Sequence, residues 1–89
     1  MARQRATVIR SPVPGVLSLA YFETGEYCLV DDPLCEIELM KALHRVNAPV
    51  EGVVTFAAGL GELLQEGDMI CRIQPKDPDV VNMESVPRM

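Results

Sequence analysis

Short apolar runs separated by glycine, proline and aspartate make up most of this sequence. Five segments are rich in aliphatic or β-branched residues, at 16–20, 34–39, 43–48, 53–57 and 69–74. Such runs, bounded by turn residues, predict β-strands, and no long window shows the 3.6-residue period of an amphipathic helix. Residues 59–64 allow one helical turn, which Gly59 and Gly61 weaken. The pattern therefore predicts an all-β fold, with two small sheets packed face to face.

The chain also contains an internal repeat. Residues 11–20 align with residues 48–57 at an offset of 37, with a proline, two valines, a glycine and an alanine identical. The match continues at an offset of 36, where residues 25–26 and 34–37 align with 61–62 and 70–73. Two related halves thus account for about residues 8–74 and meet near Lys41. We expect a pseudo-two-fold domain in which each half supplies most of one sheet.

Alternation along residues 34–39 predicts which side chains face the core. The predicted inward residues are Cys35, Ile37 and Leu39, with Cys71 and Ile73 in the second half. The predicted outward residues are Leu34, Glu36 and Glu38. If the halves are related by a pseudo-two-fold axis, the inward residues meet in a shared core.

Residues 40–42 leave room only for a tight connection between two predicted strands. A two-residue hairpin turn needs positive φ at its central residues and favours Asn-Gly, Asp-Gly or Gly-X. Met40 and Lys41 fit this geometry poorly, and such a local conflict is typical of a functional site; the alternative is a turn two residues away. Lys41 is the only lysine among residues 8–74. At a hairpin tip its amine is a handle for acylation, or simply an exposed lysine.

Composition and charge narrow the classes of function. The 89 residues allow one small domain, and a net charge of −5 argues against nucleic acid as a partner. No apolar run approaches the ~20 residues that span a bilayer, and the basic N-terminus lacks the apolar segment of a signal peptide. We therefore expect a cytoplasmic protein without a membrane partner. No paired carboxylates, nucleophile–base set or phosphate-binding loop predicts an enzyme.

The cysteines and the histidine do not predict a site. Cys28, Cys35 and Cys71 are odd in number and widely spaced, which suits buried free thiols better than disulfides. A zinc site made by these cysteines and His44 would lack the close ligand pairs of structural zinc sites, so we expect no metal. His44 has no apparent catalytic partner, and a structural role is expected for it.

The residues around Lys41 resemble a known family. Residues 37–42 read Ile-Glu-Leu-Met-Lys-Ala, and residues 46–54 read Val-Asn-Ala-Pro-Val-Glu-Gly-Val-Val. They resemble the biotinyl domain of biotin carboxyl carrier proteins, in which Glu-Ala-Met-Lys-Met precedes a strand and turn of the form apolar-x-Ala-Pro-x-x-Gly-x-Val. Residues 9–15 are similar to the opening strand and turn of that family. The resemblance covers about residues 7–74 and leaves 1–6 and 75–89 as expected flexible ends.

The resemblance implies a non-catalytic carrier with a flattened β-barrel or sandwich of two four-stranded antiparallel sheets. A biotin protein ligase would attach biotin covalently to Lys41. A biotin carboxylase would then carboxylate the biotin, and a carboxyltransferase would pass the carboxyl group on, as in the acetyl-CoA carboxylase of fatty acid biosynthesis. The implied surroundings of the attachment point are Met40, Leu39, Ala42 and Glu38. Met40 and Leu39 would contact the ligase, or Leu39 would only pack in the core.

Two departures from the motif keep alternatives open. Leu39 and Ala42 stand where the family has alanine and methionine, and Ala42 is shared with related lipoyl domains, which carry Asp-Lys-Ala. A lipoyl carrier of a 2-oxoacid dehydrogenase complex, with lipoate on Lys41, is therefore one alternative, although Met40 favours biotin. The other is an unmodified, carrier-like interaction module, whose function would survive Lys41→Arg.

Overall fold

The computed structural model describes residues 5–75, which form eight β-strands and no helix. The strands are β1 (Thr7–Arg10), β2 (Gly15–Ala20), β3 (Tyr27–Cys28), β4 (Pro33–Leu39), β5 (Ala42–Asn47), β6 (Gly52–Phe56), β7 (Leu63–Leu64) and β8 (Met69–Gln74). The all-β prediction is confirmed, and each of the five predicted strands is present with ends shifted by at most one residue. The expectation of a helical turn at 59–64 is wrong, because two of these residues form β7.

Some expectations about the ends of the chain lie beyond this range. Of the expected flexible segments 1–6 and 75–89, residues 1–4 and 76–89 lie outside the described residues. Within residues 5–75, nothing has the length and apolarity of a helix that crosses a membrane.

The strands form two four-stranded sheets, as predicted. Their orders are β1-β8-β6-β3 and β5-β4-β2-β7, and all pairs are antiparallel. The expectation that each half supplies one sheet is wrong, because each sheet takes two strands from each half. The segment between β1 and β2 contains Pro12 and Pro14, which cannot donate ladder hydrogen bonds. The chain therefore crosses there to the other sheet instead of turning back beside β1.

The pseudo-two-fold repeat extends to the backbone hydrogen bonds. The Gly25 amide donates to the Val54 carbonyl at 2.8 Å, and the Gly61 amide donates to the Leu17 carbonyl at 2.8 Å. The two bonds join positions that the repeat relates, and each runs from one half of the chain to the other. The turns of each half thus hold a strand of the other half in place.

The core lies between the sheets. Cys35, Ile37, Cys71 and Ile73 are fully buried, as predicted. Leu34, predicted to face outward, is also fully buried. The register of β4 against β5 shifts between Pro33 and Cys35, and such a bulge breaks the alternation of side chains. Leu34 and Cys35 consequently both reach the core, although they are neighbours in the chain.

Burial keeps the cysteine thiols protonated. All three are free and buried, and desolvation raises the pKa of Cys35 to about 11 and that of Cys71 to about 12. Because the thiolate is the nucleophile and the metal ligand, these thiols are inert at neutral pH. Among residues 5–75, no three His, Cys, Asp or Glu side chains are grouped to hold a metal.

These raised pKa values predict that stability falls in alkali. Above the ordinary thiol pKa of 9.0 the unfolded chain loses protons that folded Cys35 and Cys71 retain. The unfolded state then binds fewer protons, so the free energy of unfolding falls by about 1.4 kcal/mol per thiol for each pH unit, until the folded thiols ionise. Urea unfolding between about pH 8 and pH 10.5 measures this slope. The double variant Cys35→Ala/Cys71→Ala should show a flatter slope, and equal slopes would contradict the prediction.

Candidate functional site: the β4–β5 hairpin

The β4–β5 hairpin ends in a two-residue turn made by Met40 and Lys41, at the predicted place. Leu39 and Ala42 form the closing pair of the ladder. The φ angles of Met40 and Lys41 are 52° and 69°, and positive φ at both central residues is typical of a type I′ turn. Neither residue is glycine, asparagine or aspartate, so the turn stores backbone strain of about 1–2 kcal/mol at each position. Tight pairing on both sides of the turn holds it in this conformation.

Both turn residues face solvent. The Met40 side chain is 90% exposed, and Lys41 is exposed as well. An exposed methionine at positive φ contributes neither to packing nor to turn geometry, so folding does not explain its presence. The Lys41 amine lies at the end of the sheet, where a large partner has access to it.

The structure brings all the predicted site residues together on this hairpin. Glu38 and Ala42 are exposed, whereas Leu39 is half-buried beside the turn. Glu38 lies opposite Leu43 on the outer face of the sheet. Leu39 therefore packs in part against the domain and still presents some surface near Lys41.

Gly15 supports the hairpin close to its turn, a role that the sequence did not suggest. A Cβ atom at Gly15 would lie 2.5 Å from the Glu38 carbonyl oxygen and 2.8 Å from the Ile37 Cγ2 atom. A Cβ atom at Gly52, the partner of Gly15 in the repeat, would collide with the Gln74 carbonyl oxygen in the same way. The presence of glycine at this position in both halves of the repeat was the signal from which the close approach could have been predicted. Only glycine lets β2 pass this close to β4.

A polar network covers the other end of the same outer face. Glu36 lies on the outer face, as predicted, but it is buried there. It accepts a hydrogen bond from the Tyr21 hydroxyl and forms an ion pair with Arg45 at 3.3 Å. The Arg45 guanidinium also lies over the Tyr21 ring, 5.7 Å from its centre. Donation to Glu36 raises the pKa of Tyr21.

His44 does not belong to the site. It lies opposite Ile37 on the inward side of β5, is half-buried, and shares that side with Val46. The structural role expected for His44 stays a prediction.

Comparison with known proteins identifies the fold. The model of the family described as "biotin-requiring enzyme", the biotinyl/lipoyl family, matches residues 7–73. The chain belongs to this family. Membership implies biotin or lipoate as the carried group, and a biotinyl domain is a non-catalytic part of a carboxylase.

Relatives of this biotinyl/lipoyl chain are long carboxylases. It is 28% identical, over 98% of its length, to a mitochondrial acetyl-CoA carboxylase of Saccharomyces cerevisiae (strain YJM789). It is 33% identical over 84% of its length to an acetyl-CoA carboxylase of Schizosaccharomyces pombe. The chain spans only 4% and 3% of these two proteins.

Solved structures share the fold. The urea carboxylase of Kluyveromyces lactis matches 82% of this chain with a TM-score of 0.72 and 23% identity. A single-chain, multi-domain long-chain acyl-CoA carboxylase matches 94% of the chain with a TM-score of 0.71 and 17% identity. The match covers 6% and 8% of those chains, respectively.

Proposed function

We propose that the chain carries biotin, attached covalently to Lys41, between the active sites of a biotin-dependent carboxylase. The observation that carries the proposal is the lysine at the second position of a strained, exposed two-residue turn. In a member of the biotinyl/lipoyl family, this geometry suits an amine that must enter the active sites of other proteins. The proposed partners are a biotin protein ligase, a biotin carboxylase and a carboxyltransferase.

The residues of the hairpin fit a covalently attached group. The Lys41 Nζ atom, once deprotonated, attacks the carbonyl carbon of an activated biotinyl adenylate; an amide bond forms and AMP leaves. Met40, exposed beside this amine, offers the ligase an apolar contact. The attached biotin supplies the ring nitrogen that accepts and releases a carboxyl group, and the enzymes supply the catalysis.

Rigidity of the hairpin serves the carrier role. The side chain of Lys41 is a flexible tether, whereas its Cα atom is held by the closing pair Leu39–Ala42 and by the ladder below it. Tethering keeps the carried group at a high effective concentration near each docked enzyme. A stiff base with a flexible arm therefore allows one attachment point to visit two active sites.

Biotin is favoured over lipoate by Met40 and by the relatives. Met40 matches the biotinyl motif, and the relatives described above are carboxylases. A place in an acetyl-CoA carboxylase of fatty acid biosynthesis, and a cytoplasmic location, belong to the same proposal.

Intact-mass measurement tests the proposal. The chain is co-expressed with a biotin protein ligase and added biotin, and peptides are then mapped. We expect one biotinyl group on Lys41 and none on Lys41→Arg. A parallel expression with lipoate and a lipoyl ligase separates the alternatives: a lipoyl group in place of biotin moves the chain to the 2-oxoacid dehydrogenases. An unmodified Lys41 in both experiments refutes the carrier role.

A further inference from the structure

A row of four residues with an exposed leucine at each end crosses the outer face of the sheet that carries the hairpin. Leu43 of β5 lies opposite Glu38 of β4, Glu38 opposite Val16 of β2, and Val16 opposite Leu63 of β7. We call these four residues the outer row. Leu43 is 60% exposed and Leu63 is 65% exposed, while Val16 is half-buried. With strands about 4.8 Å apart, the row extends about 14 Å across the sheet.

The internal repeat shows that the fold does not require these leucines. The equivalent row on the other sheet contains Tyr27, Val53 and Gln74, which lie opposite one another in the same way. There a tyrosine takes the place of Leu63, and its hydroxyl donates to the Glu51 carboxylate at 2.7 Å. Ala6 takes the place of Leu43, at the repeat offset of 37. Both halves fold alike with different residues at these positions, so folding does not account for leucine at either end of the row.

The outer row contains one negative charge, on Glu38. Glu38 lies between Leu43 and Val16, and no residue in the described range 5–75 forms an ion pair with it. Arg45, on the same face, is already paired with Glu36. A partner surface that covers the row must therefore offer apolar contacts to Leu43 and Leu63. It must also place a positive charge opposite Glu38.

The position of the row links it to the attachment site. Glu38 and Leu43 form the last outward-facing pair before the closing pair Leu39–Ala42. Only the closing pair separates Glu38 and Leu43 from the turn, so Glu38 lies two residue steps, about 7 Å, from Met40. An enzyme that receives the Lys41 arm must therefore lie close to one end of the row.

We propose that the outer row is the docking surface for the biotin carboxylase that loads this carrier. The occupant is an apolar patch of that enzyme with a lysine or arginine facing Glu38. The inference rests on the proposed carrier function. It adds that the enzyme contacts the face of the sheet as well as the Met40–Lys41 turn. A second copy of this chain is a less favourable occupant of the row. Each copy has a net charge of −5, and face-to-face contact would bring the two Glu38 carboxylates together.

Leu63 offers the sharpest test, because it lies on β7, at the far edge of the sheet from the hairpin strand β5. Leu63→Ser removes one end of the row without touching the hairpin. Leu29→Ser is the matched control, since Leu29 is 56% exposed in the loop before β4, at the opposite end of that strand from the hairpin. Each variant is biotinylated and checked by intact mass and thermal unfolding before use.

The assay uses each biotinylated chain as the varied substrate of the biotin carboxylase from the same organism. ATP and bicarbonate react with the biotin on the chain to give carboxybiotin, ADP and phosphate, and the released ADP is measured. We expect Leu63→Ser to raise KM about tenfold with kcat unchanged, and Leu29→Ser to stay within about twofold of the wild type. The rate of biotin attachment by the ligase should be equal in all three chains. If Leu63→Ser lowers thermal stability, Leu43→Ser removes the other end of the row and is expected to raise KM in the same way.

The outcomes separate the two proposals. A biotinylated chain whose KM is the same for Leu63→Ser and Leu29→Ser overturns the docking surface and leaves the carrier role intact. A chain that takes up no biotin at Lys41 refutes the carrier role, and the docking surface falls with it. A wild-type dimer in sedimentation that Leu63→Ser converts to a monomer assigns the row to self-association and also overturns the docking proposal.

Discussion

Exchanging Met40 and Lys41 (M40K/K41M) is expected to abolish nearly all biotin uptake while the domain folds as before. Both positions have positive φ and both are exposed, so composition, charge and turn strain stay the same. The amine moves by about 3.8 Å along the chain and changes direction, because the backbone reverses between the two residues. A misplacement of even 1 Å at a reacting centre can cost about 100-fold in rate. We therefore expect the biotinylation rate to fall at least 100-fold.

The measurement is the initial rate of biotin incorporation by the ligase, followed by intact mass. Lys41→Arg gives the background rate, and Met40→Leu keeps the lysine in place and isolates the contribution of the methionine. Thermal unfolding of the exchanged variant should match the wild type. Biotin uptake by the exchanged variant at the wild-type rate would show that the turn does not position the amine.

Gly15→Ala is expected to destabilise the domain by about 2–3 kcal/mol. The new Cβ would lie 2.5 Å from the Glu38 carbonyl oxygen, which is held in the ladders of β4. Backbone in a central strand cannot move aside cheaply, so β2 and β4 would separate close to the turn of the hairpin. Since small domains have only about 5–15 kcal/mol of stability, this is a large fraction of the total.

Urea unfolding measures the loss, and Gly59→Ala is the matched control. A Cβ at Gly59 has no atom within 4 Å, and its φ does not lie in the positive range. That substitution should change the free energy of unfolding by no more than about 0.5 kcal/mol, or raise it slightly by restricting the unfolded chain. Equal effects of the two substitutions would show that close packing of β2 on β4 is not what requires glycine at position 15.

Much of the fold followed from the sequence because the longer strands are apolar runs bounded by turn residues. The two-residue strands β3 and β7 were missed, since two residues are too few to show any period. The repeat revealed two equivalent halves but did not show that they exchange strands. That exchange arises because every connection except the β4–β5 turn crosses between the sheets, which is a property of the whole domain.

The turn at Met40 and Lys41 was predictable because so little chain separates β4 from β5. The burial of Glu36 was not, because it depends on Tyr21 and Arg45, which approach it only in the folded sheet. The support given by Gly15 to the hairpin likewise depends on strand pairing. Local patterns thus located the tip of the site, whereas the parts built by long-range contacts needed the structure.

The pairing of β1 with β8 bears on when Lys41, the proposed attachment point, becomes available during synthesis. Thr7 pairs with Ile73, so the two ends of the domain are adjacent in one sheet. A fold dominated by such long-range contacts has a high contact order and folds slowly, in milliseconds to seconds. While a ribosome still holds β8, the core face of the hairpin sheet has no completed partner. If Lys41 is biotinylated as proposed, we expect the ligase to modify the finished domain faster than a nascent chain, in which the hairpin sheet is not yet packed against the other sheet.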